Sequence, residues 1–207
     1  MNLVFECQMC GICCQTKFLC LYPFELNRAN FYAQKLNIKL ELEPLRAVLD
    51  EISQKIIVLI YRMKERPCPF FSDNTCLIHN HKFIACKKYP ISQWIDLGSV
   101  FSFLGLNSEF YDVDDKCSFI KTHPKFKLAL KTVPLSLLLP NEYQAVLRDK
   151  KVWIDLQNQL NILKKTHKIK IINENKLKKD DPDKYQEIMN FWEQEPADYF
   201  INFIKTH

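Results

Sequence analysis

The chain has 207 residues, 47% of them hydrophobic and 26% charged, with a formal charge of +5. That balance suits one domain, or one domain with a substantial extension, holding enough apolar material for its own core. No run of ~18 apolar residues occurs, which argues against a membrane-spanning helix, and three glycines (Gly11, Gly98, Gly105) leave no dinucleotide fingerprint or phosphate loop.

In chain order the first feature is Cys7-Gln8-Met9-Cys10-Gly11-Ile12-Cys13-Cys14. Two-residue gaps let successive thiolates curl round one centre, and Gly11 permits the positive φ such a turn needs. Adjacent residues do not easily point at one small centre, so Cys13 and Cys14 are expected to serve different centres, or one of them to be a spectator. Cys20 sits in the apolar alternation Phe18-Leu19-Cys20-Leu21 and reads as a buried structural thiol. Between Pro23 and Leu36, the positions Leu26, Ala33 and Leu36 predict a short helix. Leu42, Leu45, Val48, Leu49 and Ile52 follow a helical 3–4 spacing, whereas the β-branched run Ile56 to Tyr61 reads as a buried strand.

A second cysteine group follows: Cys68, Cys76 and Cys86, with Cys117 beyond them. Between these lies Val100 to Leu104, bounded by Gly98 and Gly105, which reads as a strand or extended segment. Asp112, Asp114 and Asp115 lack the glycine and distal glutamate of a calcium loop and read as a solvated turn. His79 and His81 lie among the cysteines without the spacing of a two-histidine finger. The 90 residues after Cys117 contain no cysteine. There a helical stripe runs through Tyr143, Val146, Leu147, Trp153, Leu156, Leu160 and Leu163. Asp181-Pro182 starts another helix, whose buried face is Tyr185, Ile188, Met189 and Trp192. Phe200, Phe203 and Ile204 suggest a last short helix.

Nine cysteines, four of them within Cys7 to Cys14, suit metal thiolates better than disulfides. No apolar leader stands before Glu6 and Cys7, so the expected setting is a reducing cytoplasm. Seven lysines lie between Lys164 and Lys179 against the single acid Glu174. With no aromatic interleaved, they read as a solvated face rather than an RNA-binding one. A Cys-x3-Cys-x2-Cys radical-enzyme loop is absent, because Lys17 stands where its third cysteine would be.

The ordered motifs resemble the CxxCxxCC family of zinc- or iron-chelating cysteine-cluster proteins, of which flagellin lysine N-methylase is a larger relative. Cys-x2-Cys-Gly-x-Cys-Cys is its signature, and Cys68-Pro69-Phe70-Phe71, Cys76-Leu77-Ile78-His79 and Cys86-Lys87-Lys88-Tyr89-Pro90 match its later motifs. His79 replaces the usual tyrosine, Lys87 replaces an arginine, and Lys82-Phe83 stands where Arg-Pro is usual. The resemblance covers roughly residues 5–120. It implies eight metal ligands: Cys7, Cys10, Cys13, Cys14, Cys68, Cys76, Cys86 and Cys117.

The expected fold is mainly α with a few short strands (α+β). A metal-stabilised cysteine-cluster lobe spans residues 1–120 and a helical extension spans 121–207. The expected cofactor is an iron–sulfur cluster (4Fe–4S) or zinc, serving electron transfer or cluster handling with a protein or redox partner. Enzymatic activity is left open. The alternatives are a lysine N-methylase-like enzyme, by analogy with the flagellin-modifying relative, and a structural zinc module that binds a partner.

Overall fold

The computed structural model describes residues 4–95 and 110–206. Its strands are β1 (Cys20–Leu21), β2 (Leu42–Asp50), β3 (Lys55–Met63), β4 (Phe71–Ser72), β5 (Thr75–Cys76), β6 (Ile91–Ile95), β7 (Phe110–Val113), β8 (Ile171–Ile172) and β9 (Glu193–Pro196). The architecture is α+β, with helices in the majority among the described residues. Residues 1–19 and 66–150 form one compact unit, and residues 20–65 and 151–207 form a second. The division therefore differs from a single cut near residue 120. Residues 121–150 pack with the cysteine-bearing stretch, and the segment 20–65 packs with the C-terminal one. The segment Val100 to Leu104 lies outside the described residues.

The second unit is built on β3. β2 runs antiparallel along one of its edges, while β1 and the parallel strand β9 share the other, and β8 extends the sheet beyond β2. Successive β3 side chains point to opposite faces. Ile57 and Leu59 pack with Leu160, Leu163, Phe200 and Ile201. Ile56 and Val58 pack with Ile188 and, partly buried, Met189 and Trp192. Each such fully buried aliphatic side chain contributes about 1.5–3 kcal/mol relative to exposure.

The helical spacing of Leu42 to Ile52 does not hold, since these residues form β2 and the turn after it. The pairing with β3 shifts register around Arg46. That irregularity breaks the strict alternation a strand normally shows, and Leu45 and Ile52 are exposed. Buried Asp50 shapes the turn by accepting from the N–H groups of Ser53 at 3.0 Å and Lys170 at 2.7 Å. The helices Leu26–Lys35, Pro140–Lys165, Pro182–Phe191 and Ala197–Thr206 lie where the sequence expects them. Asp181 caps the third, its side chain accepting from the Lys184 N–H at 3.0 Å. The C-terminal stretch is not purely helical, because β8 and β9 join the sheet.

The first unit closes round aromatic residues. Phe5, Phe119 and Phe126 meet with Phe5–Phe119 and Phe119–Phe126 centroids 5.1 Å apart, both edge-on. Leu138, Leu139 and Val146 complete that core, which also contains Cys117. The Phe5 N–H donates to the Leu138 carbonyl at 2.8 Å, tying the N-terminal loop to this core. No helix among the described residues is long and apolar enough to cross a membrane.

Candidate metal centre

Gly11 sets the course of the N-terminal loop. Its φ is +73°, and a Cβ there would lie 2.2 Å from Cε2 of Phe71. Both the left-handed backbone and the ring pressed against it demand glycine. The helix Ile12–Thr16 starts directly afterwards and carries Cys13 and Cys14 in its first turn. Their sulfurs are 3.9 Å apart. Two thiolates on one tetrahedral zinc, with bonds of ~2.3 Å, stand ~3.8 Å apart. The two sulfurs of the adjacent pair thus meet on one side of this short turn.

Cys68, Cys76, Cys86 and Cys117 arrive on four separate supports. The Cys68 N–H donates to the Cys14 carbonyl at 2.8 Å, which fastens the second motif to the first. Beyond it, Asp73 (φ 49°) and Asn74 (φ 58°) form the turn between β4 and β5. Two consecutive positive φ values suit a tight hairpin, and Asp and Asn tolerate them. The hairpin sets Cys76 opposite Phe71, where its thiol hydrogen-bonds Cys14. Cys86 rides on the helix Ile84–Lys87, whose N-cap residue Phe83 packs against Phe70 with ring centroids 6.1 Å apart.

Cys117 begins the helix Ser118–Thr122, its N–H donating to the Asp114 carbonyl at 3.2 Å. Asp114 is buried and pairs with Lys17 at 2.6 Å, so it is not the solvated residue the sequence suggested. Burial favours its neutral form, but Lys17 and the Lys116 N–H prevail and hold its carboxyl below the usual range. Ser118 Oγ also donates to Gln8 Oε1 at 2.9 Å, linking this loop to the N-terminal run.

All eight cysteines named from the sequence line one cavity of about 80 Å³, together with His79, Lys82 and Tyr89. Cys20 is not among them; it lies half-buried in β1 of the other unit. None of the nine cysteines is joined in a disulfide. Lys82 Nζ donates to Cys7 Sγ at 3.3 Å. Cys14 shares hydrogen bonds with both Cys13 and Cys76, and either sulfur of the Cys13–Cys14 pair can be the donor; these bonds first, then burial, raise the Cys14 pKa. The bond with Cys14, aided by Lys82, lowers Cys13 to about 7. The Cys14 bond, the Ile78 N–H and Lys82 lower Cys76 to about 6. Burial instead pushes Cys68 up to about 11 and Cys86 well above its ordinary value. Cys117 is raised as well, by burial first and then by nearby Cys10 and Cys7.

Two polar atoms on the cavity wall are buried without a hydrogen-bond partner among the described residues: the Tyr89 hydroxyl and His79 Nε2. Buried polar groups are almost always satisfied, so both have capacity for a bound group. No three His, Cys, Asp or Glu side chains among the described residues converge on a single ion position. The thiols lining the cavity fit a thiophilic metal in type and number. Lys82, Tyr89 and Asp114 were not identified from the sequence as parts of the site. Only Lys82 carried a signal, as the basic residue standing where the family has arginine.

The model of the CxxCxxCC family, described as "Putative zinc- or iron-chelating domain", matches residues 6–118, more than half of the chain, and the protein belongs to that family. No curated protein and no solved structure matches it.

Proposed function

We propose that the chain binds an iron–sulfur cluster, or failing that zinc, through Cys7, Cys10, Cys13, Cys14, Cys68, Cys76, Cys86 and Cys117, and serves electron transfer or cluster handling. The observation that carries this reading is that eight thiols, seven from four separate motifs and Cys117 beyond them, line one cavity. A closed zinc site packs its sulfurs directly round the ion. A void of about 80 Å³ exceeds the ~30 Å³ share of one water molecule and suits a larger inorganic group. When bound, a cluster would supply one-electron chemistry.

The chain's own residues supply the rest. Lys82 places a cation against the thiolate-rich wall, offsetting negative charge that would otherwise accumulate there. The lowered values of Cys13 and Cys76 make them the first thiols ready to ligate near neutral pH, because the thiolate is the ligand. The Tyr89 hydroxyl can donate a hydrogen bond to a bound group, and such contacts tune cluster potentials. Cys7 and Cys10 are exposed, so the site is reachable from solvent by a redox or protein partner.

The test is purification without oxygen followed by assay of iron, zinc and acid-labile sulfide, with an absorption spectrum. Iron with matching sulfide supports the cluster, and zinc without sulfide supports the second metal. Protein that is folded, metal-free and titrates all nine thiols overturns the reading.

A further inference from the structure

We propose, resting on the metal-binding reading above, that the two short helices after Cys117 form a docking face for a carboxylate-rich surface of a protein partner, set beside the cysteine cavity.

From Lys116 to Asn141 the chain carries five lysines (Lys116, Lys121, Lys125, Lys127 and Lys131) and no aspartate or glutamate. All five are exposed, and none forms an ion pair among the described residues. Other lysines of the same unit are occupied: Lys17 pairs with Asp114, Lys88 with Asp149, and Lys82 donates to Cys7. Uncompensated cations on one short stretch repel one another, and the carboxylates of a partner would relieve that repulsion.

Packing decides which way the stretch faces. The helices Ser118–Thr122 and Pro124–Ala129 bury Phe119, Ile120, Phe126 and Ala129 in the core that also holds Cys117. That leaves Lys121, Lys125 and Lys127 on the solvent side. Leu128, 67% exposed, lies one helical turn from Lys125 and offers an apolar contact among the cations.

The face adjoins the cavity through Cys117. Lys116 precedes that cysteine, and the Lys121 N–H donates to its carbonyl at 3.0 Å. Cys117 and Ser118 line the cavity, and Ser118 Oγ donates to Gln8 Oε1 at 2.9 Å, next to exposed Cys7. A partner seated on the lysines is thus held against the loop that carries the exposed thiols Cys7 and Cys10.

The chemistry of the stretch favours protein over other anions. Nucleic acids are gripped by stacking on exposed aromatic rings and by arginine forks. Here Phe119 and Phe126 are buried, the His123 ring is stacked on Phe119 with centroids 4.1 Å apart, and residues 116–141 contain no arginine. Binding to an anionic membrane needs a broad apolar face, and Leu128 and Leu137 are the large apolar side chains that this stretch exposes among the described residues. A lysine cluster of this kind steers an acidic protein surface and raises its association rate about 10–10³-fold.

A short poly-L-glutamate peptide is the probe, offered to the full-length protein at moderate salt. Lysine acylation mapped by mass spectrometry reads the binding. The peptide should protect Lys121, Lys125 and Lys127, and protection should fade as salt rises. Combined Lys121→Glu, Lys125→Glu and Lys127→Glu should weaken binding about tenfold or more. The same reversal at Lys165, Lys176 and Lys179 of the second unit should leave it nearly unchanged. Glutamine at positions 121, 125 and 127 should act in the same direction as glutamate and decides the matter if the reversed chain misfolds. Unprotected lysines, or equal weakening by both reversed sets, overturns the docking face. Stronger protection of these lysines by an oligodeoxynucleotide of equal charge, or by phosphatidylserine vesicles, overturns the choice of an acidic protein. Metal is assayed on the same samples: metal retained without protection overturns the face alone, while protection without any retained zinc or iron overturns the metal reading and leaves the face standing.

Discussion

The backbone N–H of Cys68 donates to the carbonyl of Cys14 across 2.8 Å, although more than 50 residues separate them in sequence. This bond aligns the Cys-Pro-Phe-Phe motif with the double cysteine, and through the β4–β5 hairpin it places the Cys76 thiol against Cys14. Replacing Cys14 or Cys76 by serine should therefore lower metal content sharply, since a hydroxyl is scarcely ionised and ligates poorly. Cys20→Ser should leave metal content unchanged, because that thiol is not among the residues lining the cavity. Elemental analysis of the three variants checks this, and equal loss in the Cys20 variant would reject the assignment.

Gly11→Ala should destabilise the protein by about 1–3 kcal/mol, the range for forcing extra atoms into a packed site. The new methyl would meet Phe71 in a backbone conformation that already disfavours a side chain. The midpoint of chemical unfolding reads the effect. Pairing the change with Phe71→Leu should recover part of the loss, while strict additivity would argue against the contact.

Lys82→Met should weaken metal binding about 10–100-fold, the usual effect of losing a group that supports a ligand, and Lys82→Arg should restore most of it. In metal-free protein the methionine variant should also shift thiol alkylation of Cys13 and Cys76 to higher pH, because Lys82 helps lower both. Competition with a metal indicator measures the first effect, and alkylation mapped by mass spectrometry measures the second.

The pH dependence of the metal-free protein follows from the same thiols. Cys13 and Cys76 titrate near 7 and 6 when folded, against an ordinary value of 9.0. Between these limits the unfolded chain binds more protons, so stability should rise as pH increases from about 6 to 9. Above 9 the raised values of Cys14, Cys68 and Cys86 reverse the sign, and stability should fall. Unfolding midpoints across this range check the curve, and a flat profile would contradict the lowered pair.

The long amphipathic stripe from Tyr143 to Leu163 and the Asp181-Pro182 start were legible because helical periodicity and capping are local signals. The strand from Leu42 to Asp50 was not, because its irregular pairing with β3 lets apolar residues fall at helical intervals. The cysteines that line the cavity could be named from motif order alone. Their grouping could not, since it depends on the Gly11 turn, the hairpin and the buried Asp114–Lys17 pair, all of which bring distant residues together. The 3.9 Å contact between the Cys13 and Cys14 sulfurs was not legible either, because sequence adjacency says nothing of side-chain rotation.

The cysteine-bearing unit draws part of its core from residues beyond the family match. Leu138, Leu139 and Val146 pack in the same cluster as Phe5, Cys117 and Phe119. A gene fragment trimmed to residues 6–118 would thus lose Phe5, the Leu138 carbonyl that Phe5 donates to, and Phe119, and would expose one side of the cluster that holds Cys117. Deleting residues 20–65 while keeping 66–150 would instead have to rejoin Leu19 to Arg66. For this chain the recurring evolutionary segment and the compact unit are different objects, and cloning boundaries should follow the second.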